Sequence, residues 1–378
     1  MGTDLNKDAL LEALESMLSK KVTDTEFRST QLHGGTLGNV RLLTGTAHLG
    51  DGAQESFRIV CKTQSKWARP GDEQSWRREY DLYQSDLSRY FTPGMRWPSC
   101  YLSDLTDDEI RLWIEYIDGV SGEDLSVEML EEAAYQLGAF QGRTRSLYAT
   151  SKSISALGDT GFFSREFSQW HRQKYTTEFL VSEESRLPEH LKRELLSDKI
   201  KLVAGKSFEY SCLRSPLGDL PEHLKEMLLD IDERQDELFG MIESLPVVLC
   251  HRDFWLENIM VRNGETILID WDTAGWGFLG EDLVSLIVDH DRPEYVAEYY
   301  QRLLPAYLKG IAGLIDTIGM PHIPVREMVL IKFGYRLAQR YMFSQSPQAR
   351  AEAVAMLQAI YDCLPEVKRA EHSLRESV

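Results

Sequence analysis

The run "VLCHRDFWLENIMVRNGETILIDWDTAGWGFLGEDL", residues 248–283, sets His251, Asp253, Asn258 and Asp270 into a stretch that otherwise reads as buried strands. Its centre, "HRDFWLEN", has the pattern H-x-D-x-x-x-x-N. An apolar run at 247–250 leads into the pattern, "NIMV" leaves it as a strand, and "TILID" is a second strand that delivers Asp270. Two carboxylates and an amide so placed match what phosphoryl transfer demands. One carboxylate accepts the proton of an attacking hydroxyl, while an amide and a second carboxylate hold Mg²⁺ against nucleotide phosphates. Oxygen ligands suit Mg²⁺, a hard cation that keeps several waters and needs few protein groups. On this reading Asp253 is the base, and Asn258 and Asp270 are the metal ligands. The plainer reading of the same residues is a helix cap beside two solvated acids.

Such a site also needs a cation for the phosphates. "FRIVCKTQ" places Lys62 near the end of an apolar strand, where a lysine without a partner is rare. "SWRREYDLY" places Glu79 on the helix that follows. Lys62 on the α- and β-phosphates, oriented by Glu79, would complete the constellation. Upstream, "HGGTLGNV" offers Gly34, Gly35 and Gly38 between two strands. Glycine backbone can approach phosphates closely and aim N–H groups at them, and Thr36 and Asn39 add side-chain donors. The string is not G-x-G-x-x-G, and hairpins use glycine too. "RLWIEYIDG" reads as an apolar strand running into a boundary, which makes residues 115–117, with Glu115 and Ile117 at the ends, candidates for backbone contacts to an adenine ring.

The elements that must position these residues follow from periodicity. Residues 4–21 carry Leu10, Leu14, Met17 and Leu18 at helical spacing. From about 30 to 65 the pattern is short strands with turns. "GDEQSWRREYDLYQSDLSRYF" reads as one helix, and "PSCYLSDLTDDEIRLWIEYIDG" as two strands joined by an acidic turn. After residue 120 the chain is mainly helical, apart from "NIMVRNGETILIDWD", where Asn263-Gly264 signals a hairpin. The expected organisation is an N-terminal lobe, 1–117, and a larger helical lobe, 118–378, with the boundary near Asp118-Gly119. "LPEHLK" occurs at 187–192 and 220–225, too few copies for a solenoid; a proline near a helix start accounts for both. Residues 366–378 read as a fraying helical tail.

The chain has 378 residues, 43% hydrophobic and 27% charged, an ordinary globular composition. No apolar run approaches the ~20 residues that span a bilayer, and the first residues lack the layout of a signal peptide. Position 6 is Asn6, where a myristoylation signal wants Ser or Thr. Five scattered cysteines without a C-x-x-C argue against a disulfide framework or zinc site and fit a reducing cytoplasm. A net charge of −18 disfavours nucleic acid as a partner. It suits a cationic small substrate, or serves solubility alone.

Taken together, "HRDFWLEN", "IDWDTA", "EDL", Lys62, Glu79 and the glycine loop at 33–40 resemble, in order along nearly the whole chain, the aminoglycoside phosphotransferase/choline kinase family. The resemblance implies an α+β, protein-kinase-like bilobal fold: a small antiparallel sheet plus helix, then a larger helical lobe. It implies ATP and Mg²⁺ as cofactors, with GTP an alternative nucleotide, and a small-molecule hydroxyl as acceptor. The family's catalytic Asp falls on Asp253, its metal ligands on Asn258 and Asp270, and its phosphate-binding lysine on Lys62. By the same resemblance His251 packs under the catalytic loop, Asp282 braces that loop, and Asp272 stands close behind the metal.

Two rivals share these residues. The string His-Arg-Asp also matches a protein-kinase loop. Here, however, Trp271-Asp272 follows Asp270 in place of Phe-Gly, no A-P-E follows, and the link to Asp282 is too short for a peptide-docking segment. A catalytically silent nucleotide-binding scaffold would be expected to have lost one of Lys62, Glu79, Asp253, Asn258 or Asp270; all are present. The acceptor is not named by the sequence. Trp170, Tyr175, Trp276, Phe278, Tyr335, Tyr341 and Phe343 suit a quaternary ammonium or amino sugar, or are plain core. Trp255 is placed to shape an acceptor pocket or simply to pack, and Arg336 and Arg340, one helical turn apart, suit an anion.

Overall fold

The computed structural model describes residues 6–32, 38–66, 74–150, 220–315, 322–344 and 346–367. The chain divides into two compact units, the first comprising 1–159, 248–276 and 306–314, the second 160–247, 277–305 and 315–378.

In the first unit, alternation along one strand decides which way Lys62 faces. Strands β1 (Val22–Gln31), β2 (Gly38–Leu49), β3 (Gln54–Ser65), β5 (Cys100–Leu105) and β6 (Glu109–Glu115) form an antiparallel sheet in the order β1-β2-β3-β6-β5. Successive side chains of a strand point to opposite faces. Along β3, Phe57, Ile59 and Cys61 therefore join one core cluster, and Val60 joins another. Lys62 shares the side of Val60. The register sets Val40 and Leu112 opposite Lys62 on its two neighbours.

Helix α1 (Lys7–Leu18) closes the Ile59 face with Leu10, Ala13 and Leu14, all wholly buried against Leu43, Ala47 and Trp113. Asn6 caps it by accepting the Asp8 N–H at 3.0 Å. On the other face Trp76 packs with Val60, Ile110, Leu112 and Ile114. The single helix expected over 71–91 is broken within its described part into a 3-10 turn (Ser75–Arg77), helix α2 (Arg78–Gln84) and a second turn (Leu87–Tyr90). Ser85 stops α2: its backbone turns extended and its hydroxyl donates to the Leu82 carbonyl at 2.6 Å. The strands run 10–12 residues and begin at Val22, longer and earlier than read. The cause is β1, "VTDTEFRSTQ", an edge strand with too few apolar residues to show a strand pattern.

A second sheet of the unit, ordered β4-β10-β9-β7, joins β4 (Met95–Arg96), β7 (Val120–Ser121), β9 (Ile259–Arg262) and β10 (Glu265–Leu268). The expected hairpin is present: β9 and β10 pair antiparallel, and Asn263 and Gly264 both have positive φ, 53° and 79°. The buried strand β8 (Val247–Cys250) leads into "HRDFWLEN". Helix α3 (Val127–Thr144) packs against residues 306–311 so tightly that a Cβ on Gly138 would stand 2.2 Å from the Tyr307 carbonyl oxygen, so only glycine serves there.

The described part of the second unit is mainly helical, with Glu222–Glu233, Gln235–Glu243, Glu281–Val288, Val325–Val329, Tyr335–Phe343 and Pro347–Cys363. Pro221 precedes the first of these, as the second "LPEHLK" copy requires; the first copy lies outside the described residues. The last helix ends at Cys363, so residues 366 and 367 are not helical as expected, and 368–378 lie outside the described residues. Arg336 and Arg340 are not held in reserve for an anion: they pair with Asp289 and Asp291, each at 2.6 Å, and Arg340 also pairs with Glu352. No helix among the described residues is long and apolar enough to cross a membrane.

Candidate functional site

A cavity of about 670 Å³ lies within the first unit, and the residues singled out by the sequence converge on it. Lys62, Glu79, Glu115, Ile117, Asp253, Asn258, Asp270 and Asp272 all line it.

Within it the Lys62 ammonium sits 2.6 Å from Glu79 Oε2 and 2.5 Å from Asp270 Oδ1. The Lys62 side chain is only 9% exposed and Glu79 2%. Burial alone would lower the lysine pKa, but Glu79, Asp270 and Asp272 outweigh it and hold the group above the ordinary lysine range. Lys62 is therefore a permanent cation between two carboxylates. Asp270 ends the β10 connection in the left-handed region, φ 63° and ψ 60°, which aspartate tolerates better than most residues. The next N–H groups are not extended into a strand: residues 271–273 form a 3-10 turn that carries Asp272 and Thr273 to the cavity.

The loop before it is fixed from beneath. His251, 1% exposed, bonds the Ile269 carbonyl through Nε2 at 3.0 Å, and its ring lies 4.6 Å from that of Trp271. The Thr273 hydroxyl donates to the His251 carbonyl at 2.9 Å. Arg252, buried and left-handed at φ 69°, donates to the Trp276 carbonyl. These contacts tie β8 to the segment that bears Asp270. Asn258, 7% exposed, closes the short 3-10 turn Leu256–Asn258. Its amide nitrogen donates to both the Asp253 carbonyl, at 2.9 Å, and the Asp253 carboxylate, at 2.8 Å. With the nitrogen so used, the amide oxygen is the atom left for a cation.

The donor set suits a hard cation that brings much of its own coordination. Asn258 and Asp270 supply oxygen only, and among the described residues no group of three His, Cys, Asp or Glu stands ready to hold a metal unaided. Mg²⁺ arriving with phosphate oxygens matches that description.

The cavity also has apolar walls, with Val40, Val60, Ile114, Met260 and Ile269 in its lining. Sequence reasoning passed over these five. Alternation from Lys62 would have pointed to Val60, and register opposite Lys62 to Val40. Glu115 is less available than expected. Burial works to raise its carboxyl pKa, but Arg96, at 2.6 and 3.1 Å, holds it below the usual range. Its N–H also donates to the Ser99 carbonyl at 2.8 Å. Gly38 lines the cavity at the start of β2, whereas Asn39 lies opposite Thr63 with a buried, unpartnered Oδ1. Gly34, Gly35 and Thr36 lie outside the described residues, as do Trp170 and Tyr175.

Of the aromatic residues, Trp255 lines the cavity, while Trp276 and Tyr341 are core. Asp282, in the second unit, is wholly buried in the first turn of Glu281–Val288.

The Phosphotransferase enzyme family matches the chain over residues 93–314. No curated protein matches it. Among solved structures, choline kinase from Cryptosporidium parvum Iowa II is 16% identical, covers 88% of each chain and has a TM-score of 0.50. Amicoumacin kinase hAmiN, in complex with AMP-PNP, Ca²⁺ and Ami, is 14% identical over 90% of each chain, with a TM-score of 0.48. A microcompartment-associated aminopropanol kinase is 12% identical over 92% of this chain and 94% of its own, with a TM-score of 0.47. The fold is the protein-kinase-like α+β fold that the motifs led one to expect.

Proposed function

The chain belongs to the phosphotransferase enzyme family, and on that premise we propose that it transfers the γ-phosphoryl group of ATP, with Mg²⁺, to a hydroxyl of a small molecule. The observation that carries this reading is Lys62 held between Glu79 and Asp270 in the cavity that also receives Asp253 and Asn258. One buried cation, two oxygen donors for a metal and one further carboxylate in the same partly apolar cavity are the parts that phosphoryl transfer requires.

In the proposed mechanism the base of the nucleotide lies among Val40, Val60, Ile114, Met260 and Ile269, near Ile117. Lys62, kept charged and oriented by Glu79, holds phosphate oxygens. Asn258 and Asp270 would hold Mg²⁺, whose charge offsets that developing on the phosphates. Asp253 accepts a hydrogen bond from the acceptor hydroxyl and then its proton as the oxygen attacks phosphorus. The bond from the γ-phosphorus to the bridging oxygen breaks, and ADP leaves. The Asn258 amide fixes the Asp253 carboxylate for this task. His251, Thr273 and Arg252 keep the loop in register, and we assign Asp272 to the ground behind the metal.

The acidic balance of the chain makes nucleic acid an unsuitable partner. Among the described residues Cys61, Cys100, Cys250 and Cys363 form no disulfide, in keeping with a reducing cytoplasm as the place of the enzyme.

The test is ADP formation from Mg-ATP with a panel of acceptors: aminoglycosides, macrolides, choline, ethanolamine, homoserine and amino sugars. An acceptor-dependent signal that Asp253→Asn abolishes supports the reading. Tight Mg-ATP binding with a flat panel would favour a nucleotide-binding scaffold, and no nucleotide binding would overturn the assignment.

A further inference from the structure

The larger sheet of the first unit ends in β1 on one side and β5 on the other. The unpaired N–H and C=O groups of an edge strand recruit another strand unless the edge is short, bulged, broken by proline or covered. β5 meets these conditions. It has six residues and a register shift between Cys100 and Leu102, and its Tyr101 and Leu102 pack against the cluster that holds α1. β1 does not meet them. It runs ten residues without a proline and pairs only with β2 among the described residues. Its one irregularity lies at its start, between Val22 and Asp24.

Exposure along β1 marks where the edge is open. Successive side chains of a strand point to opposite faces, so a strand covered on one face alternates buried with exposed. Glu26, Phe27 and Arg28 are instead exposed in succession, which leaves both faces open at the middle of the strand. Phe27, at 37%, is one of four large hydrophobic side chains so exposed among the described residues. The backbone beneath it is pinned to β2, where a Cβ on Gly45 would collide with the Glu26 carbonyl oxygen.

The middle of β1 is complementary to itself. Directly opposed side chains of an antiparallel pair share a face, so two copies related by a two-fold axis must set one residue against its own copy. With Phe27 at the axis, Phe27 meets Phe27, Glu26 meets Arg28 at two symmetry-related places, Thr25 meets Ser29, and Thr23 meets Gln31. Moving the axis by one residue sets Glu26 against Glu26 or Arg28 against Arg28, with like charges directly opposed. Charges that repel a foreign strand therefore admit this same strand in one register. We infer that the chain forms a two-fold dimer through β1, antiparallel and centred on Phe27, which joins two five-stranded sheets into one. Glu26, Phe27 and Arg28 are not in the lining of the nucleotide cavity, so the interface leaves that cavity as it is.

The test is sedimentation velocity of the full chain over a concentration series. The wild-type protein should pass from monomer to dimer as concentration rises. Glu26→Arg sets arginine opposite arginine at two places, and Arg28→Glu sets glutamate opposite glutamate. Each should weaken the dimer about tenfold or more. The two changes combined restore opposite charges in the same register and should return the dissociation constant to within about threefold of wild type. A thermal scan identifies a variant that has failed to fold. Phe27→Ser, which removes the ring at the axis without altering charge, then takes its place and should likewise weaken the dimer. A wild-type protein that stays monomeric at every concentration, a dimer that the single reversals leave intact, or a double variant as weak as the single ones overturns the proposal.

Discussion

Lys62 Nζ lies 2.5 Å from Asp270 Oδ1, a contact between residues 208 positions apart that joins β3 to the end of the β9–β10 hairpin. The proposed phosphate cation thus neutralises the proposed metal ligand. Lys62→Ala removes the phosphate contact and also leaves Glu79 buried without its cation. Calorimetry should show Mg-ADP affinity falling on the order of 10- to 100-fold, the scale of a charge-assisted hydrogen bond. Urea unfolding should show a loss of stability approaching ~3 kcal/mol, since breaking one side of a buried pair strands the other charge.

The pH dependence follows from the same contact. The folded-state pKa of Lys62 is raised above its unfolded value, so its stabilisation is fully present below the ordinary lysine pKa of about 10.4 and fades only as pH rises beyond it. In Lys62→Ala the stranded Glu79 carboxyl, whose pKa burial raises and Lys62 no longer lowers, costs stability as pH rises above the ordinary glutamate pKa of about 4.3, so the difference between wild type and variant should widen with pH. A difference that stays flat from about pH 4 to 9 would show that Glu79 does not depend on the Lys62 charge.

Asp270→Asn keeps a residue that tolerates φ 63° and removes the negative charge. It should weaken nucleotide binding in Mg²⁺ by about tenfold or more while changing binding in EDTA little, because only the metal-dependent part uses the carboxylate. Equal losses in both media would assign Asp270 to architecture alone.

Helix α1 tests the frame behind the site. Leu14 is wholly buried in the cluster that backs the sheet. Leu14→Ala should cost about 2–5 kcal/mol in urea unfolding. The nucleotide affinity of the fraction that remains folded should be unchanged, since Leu14 lies on the face opposite Lys62.

Much of this was legible in the chain, and the reasons differ by residue. Lys62 stood out because an apolar strand rarely ends in a lysine, and Asn263-Gly264 because a two-residue turn with positive φ has few sequences. The "HRDFWLEN" spacing brought Asp253 and Asn258 together by local geometry alone. What escaped notice depends on register or tertiary pairing. Val40 and Met260 reach the cavity only because of which strands lie beside which. Arg336 and Arg340 looked available until Asp289 and Asp291 were found against them. Strand β1 was missed because an edge strand carries charges where a central one carries apolar side chains.

The most direct test of the whole account is phosphorus NMR of Mg-ATP with a responsive acceptor, comparing wild type with Asp253→Asn. The account predicts that the γ-phosphorus signal is replaced by ADP and a phosphate monoester in equal amounts, with Asp253→Asn slower on the order of 10²- to 10⁴-fold. Inorganic phosphate in place of the monoester, or an undiminished rate in Asp253→Asn, would contradict it.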